Sequence, residues 1–195
     1  YYGLSLCWNA LYSDNDTLRE FIDGHHDDMC VWESKQTMPP TGLTASTAGP
    51  GSIDLKWTPI AYKEDPGSYR VFYSTSEQGP FEFIAETADK YASGLTVTGL
   101  KPGTTYYFKI KTRTNPHTWN KNAVDSEASR VVSASTLAGY VSISGTITHR
   151  GSGLPGVTLT LSNNGGTVTA GAKGYYYAWV ESGWSGTIIP SRGNY

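Results

Sequence analysis

Apolar and polar residues alternate in several short runs in the middle of the chain. Ile53, Leu55 and Trp57 alternate with polar neighbours, and the run from Tyr69 to Tyr73 has the same period of two. Such alternation is typical of β-strands that bury one face. Turn-forming clusters such as AGPGS, KEDPGS and SEQGP separate the runs. The pattern predicts a mainly β fold built from short strands and tight turns.

Residues 1–38 follow a different pattern. Apolar residues alternate in the string LSLCWNAL at 4–11, and the cluster SDND at 13–16 supplies capping side chains for a helix that Gly24 is expected to end. One short strand and one short helix cannot bury a core by themselves. We therefore expect this stretch to pack against a neighbouring element.

Residues 39–137 closely resemble a fibronectin type III domain. Leu100, Pro102 and Tyr106 match the L-x-P-G-T-x-Y corner of that family, and Trp57 occupies the position of its core tryptophan. The run SRVVSAST matches its last strand. The resemblance implies an Ig-like sandwich in which Trp57 is buried and the Tyr106 hydroxyl pins the crossover between the two sheets.

The string at 4–11 also matches the signature of a leucine-rich repeat, with Asn9 at the asparagine position. The segments DNDTLREFI and VWESKQT are similar to the closing cap that bacterial leucine-rich-repeat arrays place before a following domain. This resemblance covers one repeat. It implies that residues 1–38 are a C-terminal cap and that Asn9 forms a hydrogen bond within the turn after the strand.

Residues 138–195 predict a second, smaller β-sandwich, because Val157, Leu159 and Leu161 again alternate with polar residues. The segments SGTI, GLPGV and GYY resemble those of carboxypeptidase-regulatory-like, or prealbumin-like, sandwiches. The acidic residue that usually precedes the Gly-Tyr turn is replaced by AGAK at 170–173. The stretch is also short of a strand or two, so the sandwich is expected to be incomplete.

Charge and composition narrow the class of partner. Only 16% of residues are charged and the net charge is −2, which gives no basic surface for nucleic acid or for anionic lipid. The apolar runs are too short to span a bilayer, so no membrane insertion is expected. High glycine (22 residues) and tyrosine (14 residues) fit strands with polar, uncharged outer faces. We expect an extracellular or cell-surface location.

Two further features leave alternatives open. Cys7 and Cys30 are the two cysteines; they form either one disulfide, which would suit an oxidising compartment, or two buried thiols. Asn15 begins the single N-x-S/T sequon. It is either a glycosylation site or a helix-capping residue, and its place before a helical pattern favours capping.

Catalytic and metal sites have no support in the sequence. The run HHDDMC at 25–30 contains metal-ligating types, but no second pair of ligands is spaced to converge with it. The chain has no G-x-S-x-G, no H-E-x-x-H and no phosphate-binding glycine loop. We therefore expect no enzyme activity, no catalytic residue, no metal and no cofactor.

Exposed aromatic residues are the best candidates for a binding surface. Trp119 and His117 lie in the loop that connects the last two strands of the middle domain. Trp119 either contacts a ligand there or packs against its own sandwich, and packing is the more common outcome for such a residue. In the third stretch, Tyr176 is expected to face outward from its strand, and Trp184 is a second candidate.

The sequence thus favours non-catalytic binding, adhesion and spacer modules of a larger secreted or cell-surface protein, with a protein or glycan ligand. One alternative is a structural subunit of an extracellular filament, in which copies of the chain complete each other's open β edges. Another is a set of accessory domains of a secreted hydrolase.

Overall fold

The computed structural model of the chain describes residues 7, 9, 10, 15–25 and 35–193. These residues contain fifteen β-strands and one α-helix, so the described chain is mainly β, as predicted. They divide into two compact units. The first holds the described residues up to 48, with 52–99 and 105–135; the second holds 49–51, 100–104 and 136–193.

The first unit is a sandwich of two sheets. The strands in its described part are β1 (Thr41–Gly49), β2 (Ser52–Thr58), β3 (Gly67–Ser74), β4 (Glu82–Glu86), β5 (Gly94–Val97), β6 (Thr105–Thr114), β7 (Val124–Asp125) and β8 (Val132–Ser135). One sheet has the order β1–β2–β5, and the other has the order β4–β3–β6–β7 with β8 also paired to β6. The alternation in the sequence predicted the strands, and the two-sheet sandwich is the one that the family resemblance implied.

The core of the first unit lies between these sheets. Ile53 and Leu55 of β2 are buried together with Trp57, as their period of two predicted. Val71 of β3 and Phe108 of β6 belong to the other sheet, and both are fully buried. Burial of such side chains contributes about 1.5–3 kcal/mol each relative to an exposed position.

Tyr69 of β3 is the largest fully buried side chain of this core. Its ring packs edge-on against Trp57, with 5.3 Å between the ring centroids. Its hydroxyl accepts a hydrogen bond from the Ile60 N–H (2.9 Å) and donates one to the Lys90 carbonyl (3.1 Å). Burial raises the pKa of the Tyr69 phenol; the Ile60 hydrogen bond opposes this shift and the Asp89 charge adds to it.

Lys90 extends this polar network across the core. Its side chain is fully buried, and Nζ donates to Thr114 Oγ1 at 3.2 Å. Thr114 Oγ1 in turn shares a buried hydrogen bond of 2.8 Å with Thr37 Oγ1. Burial lowers the pKa of Lys90, and the charge of Asp65 opposes that shift.

The residues just before Pro39 and Pro40 are packed into the first unit. Gln36 and Thr37 are buried. Lys35 forms an ion pair with Glu64 at 3.4 Å. Because Thr37 is held by side-chain bonds inside the sandwich, this segment is a fixed junction and not a flexible tether.

Helix α1 (Asp16–His25) lies within residues 1–38. The Leu18 N–H donates to Asn15 Oδ1 at 2.9 Å, so Asn15 is the N-cap that the sequence favoured. The expected end at Gly24 was wrong by one residue, since His25 is still helical and its Nδ1 lies 2.7 Å from the Phe21 carbonyl oxygen. No residue of this helix is buried.

The second unit consists of short strands around a small core. The strands in its described part are β9 (Tyr140–Thr146), β10 (Thr148–His149), β11 (Ser152–Gly153), β12 (Thr158–Leu161), β13 (Gly166–Thr169), β14 (Tyr175–Glu181) and β15 (Ile188–Ser191). Three sheets result: β13–β12–β15, β14–β9 and β10–β11. Leu159 and Leu161 of β12 pack against Ala178 and Val180 of β14 to form the core.

Two expected binding residues belong to this core instead of the surface. Tyr176 packs against the core cluster, so the prediction that it faces outward was wrong. It shares its face of β14 with Ala178 and Val180, and burial of those residues turns Tyr175 and Tyr177 outward. Trp184 also packs against the cluster, and its Nε1 donates to the Ser162 carbonyl at 2.9 Å.

Replacing Tyr69 with Phe should lower the free energy of unfolding by about 1–3 kcal/mol, because the Ile60 N–H and the Lys90 carbonyl lose a buried partner. A raised folded-state pKa means that the neutral phenol contributes stability below pH 10, which is lost as pH rises through the folded-state value. The Tyr69→Phe variant should therefore lose less stability above pH 10 than the wild type. Urea denaturation across alkaline pH measures both effects.

Tyr107→Phe is the matched control. Tyr107 lies on the face of β6 that points away from the core, and it is only half-buried. It should follow the wild-type curve. Parallel curves for the wild type and Tyr69→Phe above pH 10 would contradict the assignment of the alkaline loss to Tyr69.

Replacing Trp184 with Ala should destabilise the second unit by about 3 kcal/mol, as expected for removal of a large side chain that packs on a core. Replacing the exposed Trp119 with Ala should change stability by less than about 0.5 kcal/mol. Thermal and urea unfolding of the two variants provides the comparison. Equal, small effects would show that Trp184 is a surface residue after all.

Candidate functional site

The loop between β6 and β7, residues 115–123, carries the most exposed tryptophan among the described residues. Trp119 is 63% exposed. A large aromatic side chain in this position is available to a partner without rearrangement of the sandwich. The exposure of Trp119 favours a contact residue over packing against its own sandwich.

Backbone hydrogen bonds hold this loop in one shape. The Asn115 N–H donates to the Pro66 carbonyl at 2.8 Å, which ties the loop to the segment between β2 and β3. The His117 N–H donates to the Asn120 carbonyl at 2.8 Å. The Asn122 N–H donates to Asn120 Oδ1 at 3.0 Å. These bonds form a closed turn around Trp119.

His117 supports the loop and does not present itself to a ligand. Its side chain is only 8% exposed, and its Nδ1 lies 3.6 Å from Asp65 Oδ1. The Trp119 N–H also points at this nitrogen, at 3.4 Å. Nδ1 accepts the Trp119 N–H, and the Asp65 carboxylate lies beside the ring. The expectation that His117 belongs to the binding surface is corrected accordingly.

The sequence analysis did not single out two residues that lie in or contact the segment 60–66. Asp65 lies in the turn cluster KEDPGS, and nothing in the local pattern links it to His117. Tyr91 is 65% exposed, and Lys63 Nζ lies 5.4 Å from its ring centroid. Its segment is fixed by Asp89, whose Oδ1 accepts the Tyr91 N–H at 2.8 Å. The segment 60–66 therefore contacts both aromatic-bearing loops.

A second aromatic surface lies on the outer face of β14, within the second unit. Tyr175 is 53% and Tyr177 41% exposed, and the ring centroid of Trp179 is 5.1 Å from that of Tyr177. The register places Thr146 and Ser144 of β9 directly opposite the two tyrosines. This face is aromatic along one strand and small and hydroxylated along the other.

The remaining candidate residues lie near the start of the chain. Cys7 is buried and disulfide-bonded; Cys30, the other cysteine, lies outside the described residues. Asn9 Nδ2 donates to the Cys7 backbone carbonyl at 3.0 Å. The Asn9 backbone carbonyl accepts the Thr37 N–H at 2.6 Å. The leucines of the 4–11 string are not among the described residues, so the leucine-rich-repeat cap stays a prediction.

The corner before β6 has the turn that its sequence predicts. Gly103 has a φ of 61°, a value that favours glycine. Thr104 Oγ1 donates to the Pro102 carbonyl at 3.1 Å, and Leu100 is buried. Tyr106 is buried at the start of β6, with its ring centroid 5.9 Å from that of Tyr73.

Two general features of the described residues bear on the class of site. No group of three or more His, Cys, Asp or Glu side chains in the described part is placed to hold a metal ion. Helix α1, the one α-helix of the described residues, lacks the length and apolarity of a membrane span.

One family model matches part of the chain. The family model of the fibronectin type III domain matches residues 38–124. No curated protein matches the chain.

Similar solved structures include three domains of low identity. A fibronectin type III domain from a human protein is 17% identical, covering 52% of this chain and 75% of that one, with a TM-score of 0.41. An Fn3-like protein from Clostridium thermocellum is 23% identical over 56% and 95%, with a TM-score of 0.36. Titin module A71 from human cardiac muscle is 18% identical over 49% and 86%, with a TM-score of 0.39.

The matched residues include strands β1 to β6 of the two-sheet sandwich. Residues 38–124 thus resemble a fibronectin type III domain.

Proposed function

We propose that this chain is a non-catalytic, extracellular binding and spacing module that recognises a protein or glycan partner through the Trp119 loop. Fibronectin type III domains are generally extracellular binding or spacer modules. The observation that carries the proposal is the 63% exposure of Trp119 on a loop closed by hydrogen bonds.

A fixed loop favours recognition for an energetic reason. Ordering a flexible loop on binding costs about 0.5–1.5 kcal/mol for each immobilised side chain, which subtracts from affinity. The Asn115–Pro66 and His117–Asn120 bonds order the loop before any partner arrives. An exposed tryptophan on such a loop is a typical hot-spot residue.

The location and the spacing role have separate support. The disulfide of Cys7 suits an oxidising compartment. The junction at residues 35–38 is held by the Thr37–Thr114 hydrogen bond and the Lys35–Glu64 ion pair. A rigid junction transmits orientation between neighbouring segments, which a spacer requires and a flexible tether does not provide.

The non-catalytic part of the proposal rests on the chemistry of the loop. Its one histidine, His117, is largely buried beside Asp65 and Trp119. A general base must reach a substrate, and this ring is turned toward its own loop. The exposed groups of the loop include the Trp119 indole, the amides of Asn115 and Asn122, the Thr118 hydroxyl and the Lys121 amine.

The proposal is tested by selecting ligands for the intact chain from a phage-displayed peptide library and an array of immobilised glycans. Trp119→Ala should lower the affinity for the selected ligands about thirtyfold, which corresponds to a hot-spot loss of about 2 kcal/mol in binding free energy. Tyr177→Ala, an exposed aromatic of the second unit, is the control and should leave their affinity unchanged. Binding that survives Trp119→Ala but not Tyr177→Ala would move the site to the β14 face.

A second candidate function is self-assembly into an extracellular filament. Ile189 of the four-residue strand β15 is 59% exposed. In the described chain β15 pairs with β12 and stands at the edge of the β13–β12–β15 sheet. A strand with an open edge is a template for pairing with another chain. Light scattering over a wide concentration range separates the two functions: growth with concentration favours assembly, and a constant monomer mass favours the binding module.

A further inference from the structure

The sheet β4–β3–β6–β7 of the first unit has an outer face, opposite the core, that none of the sites above uses. Buried and half-buried residues alternate along β6, which puts Lys109 and Lys111 on this outer face. The strand register places Phe72 of β3 beside Lys109 and Arg70 of β3 beside Lys111. The outer face therefore holds cationic and aromatic side chains next to each other at the centre of the sheet.

The carboxylates of the outer face are engaged by its two arginines. Asp125 Oδ2 accepts a hydrogen bond from Arg70 Nη1 at 3.1 Å, and Asp125 Oδ1 accepts one from Arg113 Nη1 at 3.0 Å. Glu86 Oε2 lies 3.9 Å from Arg70 Nε. The two carboxylates therefore offset the charges of the two arginines and leave the lysines of β6 out of the network.

Lys109 and Lys111 form no ion pair with the described residues. Lys109 Nζ lies 4.3 Å from the ring centroid of Phe81, a contact that does not neutralise its charge. Glu82, the other carboxylate of β4, pairs with Tyr73 on the alternation of β3 that faces the core. Four cations and two carboxylates give the outer face a net charge of +2, whereas the whole chain carries −2.

An exposed aromatic ring borders the lysines. Phe83 of β4 is 47% exposed and pairs with Phe72, with 6.0 Å between the ring centroids in an edge-on arrangement. The guanidinium carbon of Arg70 lies 5.0 Å from the Phe83 centroid and 5.5 Å from the Phe72 centroid. The two rings and the carboxylates hold Arg70 in place, while the exposed part of Phe83 stays open to a partner.

We propose that the outer face binds an acidic polypeptide segment, with its carboxylates at Lys109 and Lys111 and an aromatic side chain against Phe83. Two cations that lack carboxylate partners favour an anionic partner by charge complementarity. The lysines are two residues apart on one strand, or about 7 Å, which an extended acidic segment can match. The exposed phenylalanine favours a partner that also carries an apolar side chain, which a sulfated glycan lacks.

This proposal does not depend on the function proposed for the Trp119 loop, because none of its contact residues belongs to residues 115–123. The probe is the blocked peptide acetyl-EDFDE-amide, titrated at low ionic strength into the full ¹⁵N-labelled chain and followed by two-dimensional NMR. Amide shifts should concentrate at residues 70–72, 83–86 and 109–111. Shifts confined to other residues would overturn the proposal.

Two analogues of the probe separate charge from aromatic contact. The uncharged peptide acetyl-QNFNQ-amide should bind about tenfold more weakly, because it cannot pair with the lysines. A sulfated oligosaccharide of the same charge as the acidic peptide should bind about fivefold more weakly, because it has no ring to pack on Phe83. Equal or tighter binding of either analogue would contradict an acidic polypeptide as the partner.

The double variant Lys109→Gln, Lys111→Gln should weaken binding of the acidic peptide about tenfold. The matched control is the double variant Lys56→Gln, Lys173→Gln, which removes the same charge at two exposed positions, one on the opposite sheet and one in the second unit. It should leave the affinity unchanged. An equal loss in the two double variants would mean that the peptide senses only net charge, which would overturn the assignment to this face.

The aromatic contact is tested by a double-mutant cycle between Phe83→Ala and the peptide acetyl-EDADE-amide. Either change alone should weaken binding about fivefold, and the two together should cost little more than one, because both remove the same contact. Losses that multiply in the combined case would show that Phe83 does not touch the aromatic side chain of the peptide.

Discussion

The phenol of Tyr69 must find hydrogen-bond partners inside the sandwich, and much of the first unit is arranged around that requirement. A buried hydroxyl without partners costs several times what a satisfied one contributes. Tyr69 meets the requirement by bonding to Ile60 on one side and to Lys90 on the other. These two contacts belong to different connecting segments, so one side chain fixes both segments against the same core.

Fixing those segments has consequences at the surface. The segment that contains Ile60 continues to Asp65 and Pro66, which contact the Trp119 loop through His117 and Asn115. The segment that contains Lys90 presents its amine to Thr114, the last residue of β6 before that loop. The loop is therefore anchored where it leaves the sheet and again near its tip. The loop around the exposed Trp119 is held in place because the core segments that it contacts are fixed by Tyr69.

The sequence predicted features that depend on local pattern. The period of two in β2 located Ile53, Leu55 and Trp57 in the core, and the cluster before α1 identified Asn15 as a cap. These predictions succeed because strand alternation and capping are set by neighbours in the chain.

Predictions that depend on parity or on distant contacts were less successful. In the run YYYAWV, alternation alone allows either set of alternate residues to face the core. Packing of Ala178 and Val180 against β12 puts Tyr176 on the core side. The local sequence around Trp184 gave no reason to expect burial. Its Nε1–H bonds to the Ser162 carbonyl, 22 residues away in the chain, and only the fold brings the two together. No local signal could pair His117 with Asp65, since 52 residues separate them and only the folded sheet brings them together.

The central claim is that the Trp119 loop is ordered before any partner binds, and backbone NMR relaxation of the free chain tests it most directly. Order parameters for residues 115–122 should approach those of the flanking strand β6, about 0.85, as expected for rigid backbone. Values below about 0.6 in the loop, with rigid values in β6, would show a flexible loop and contradict the account.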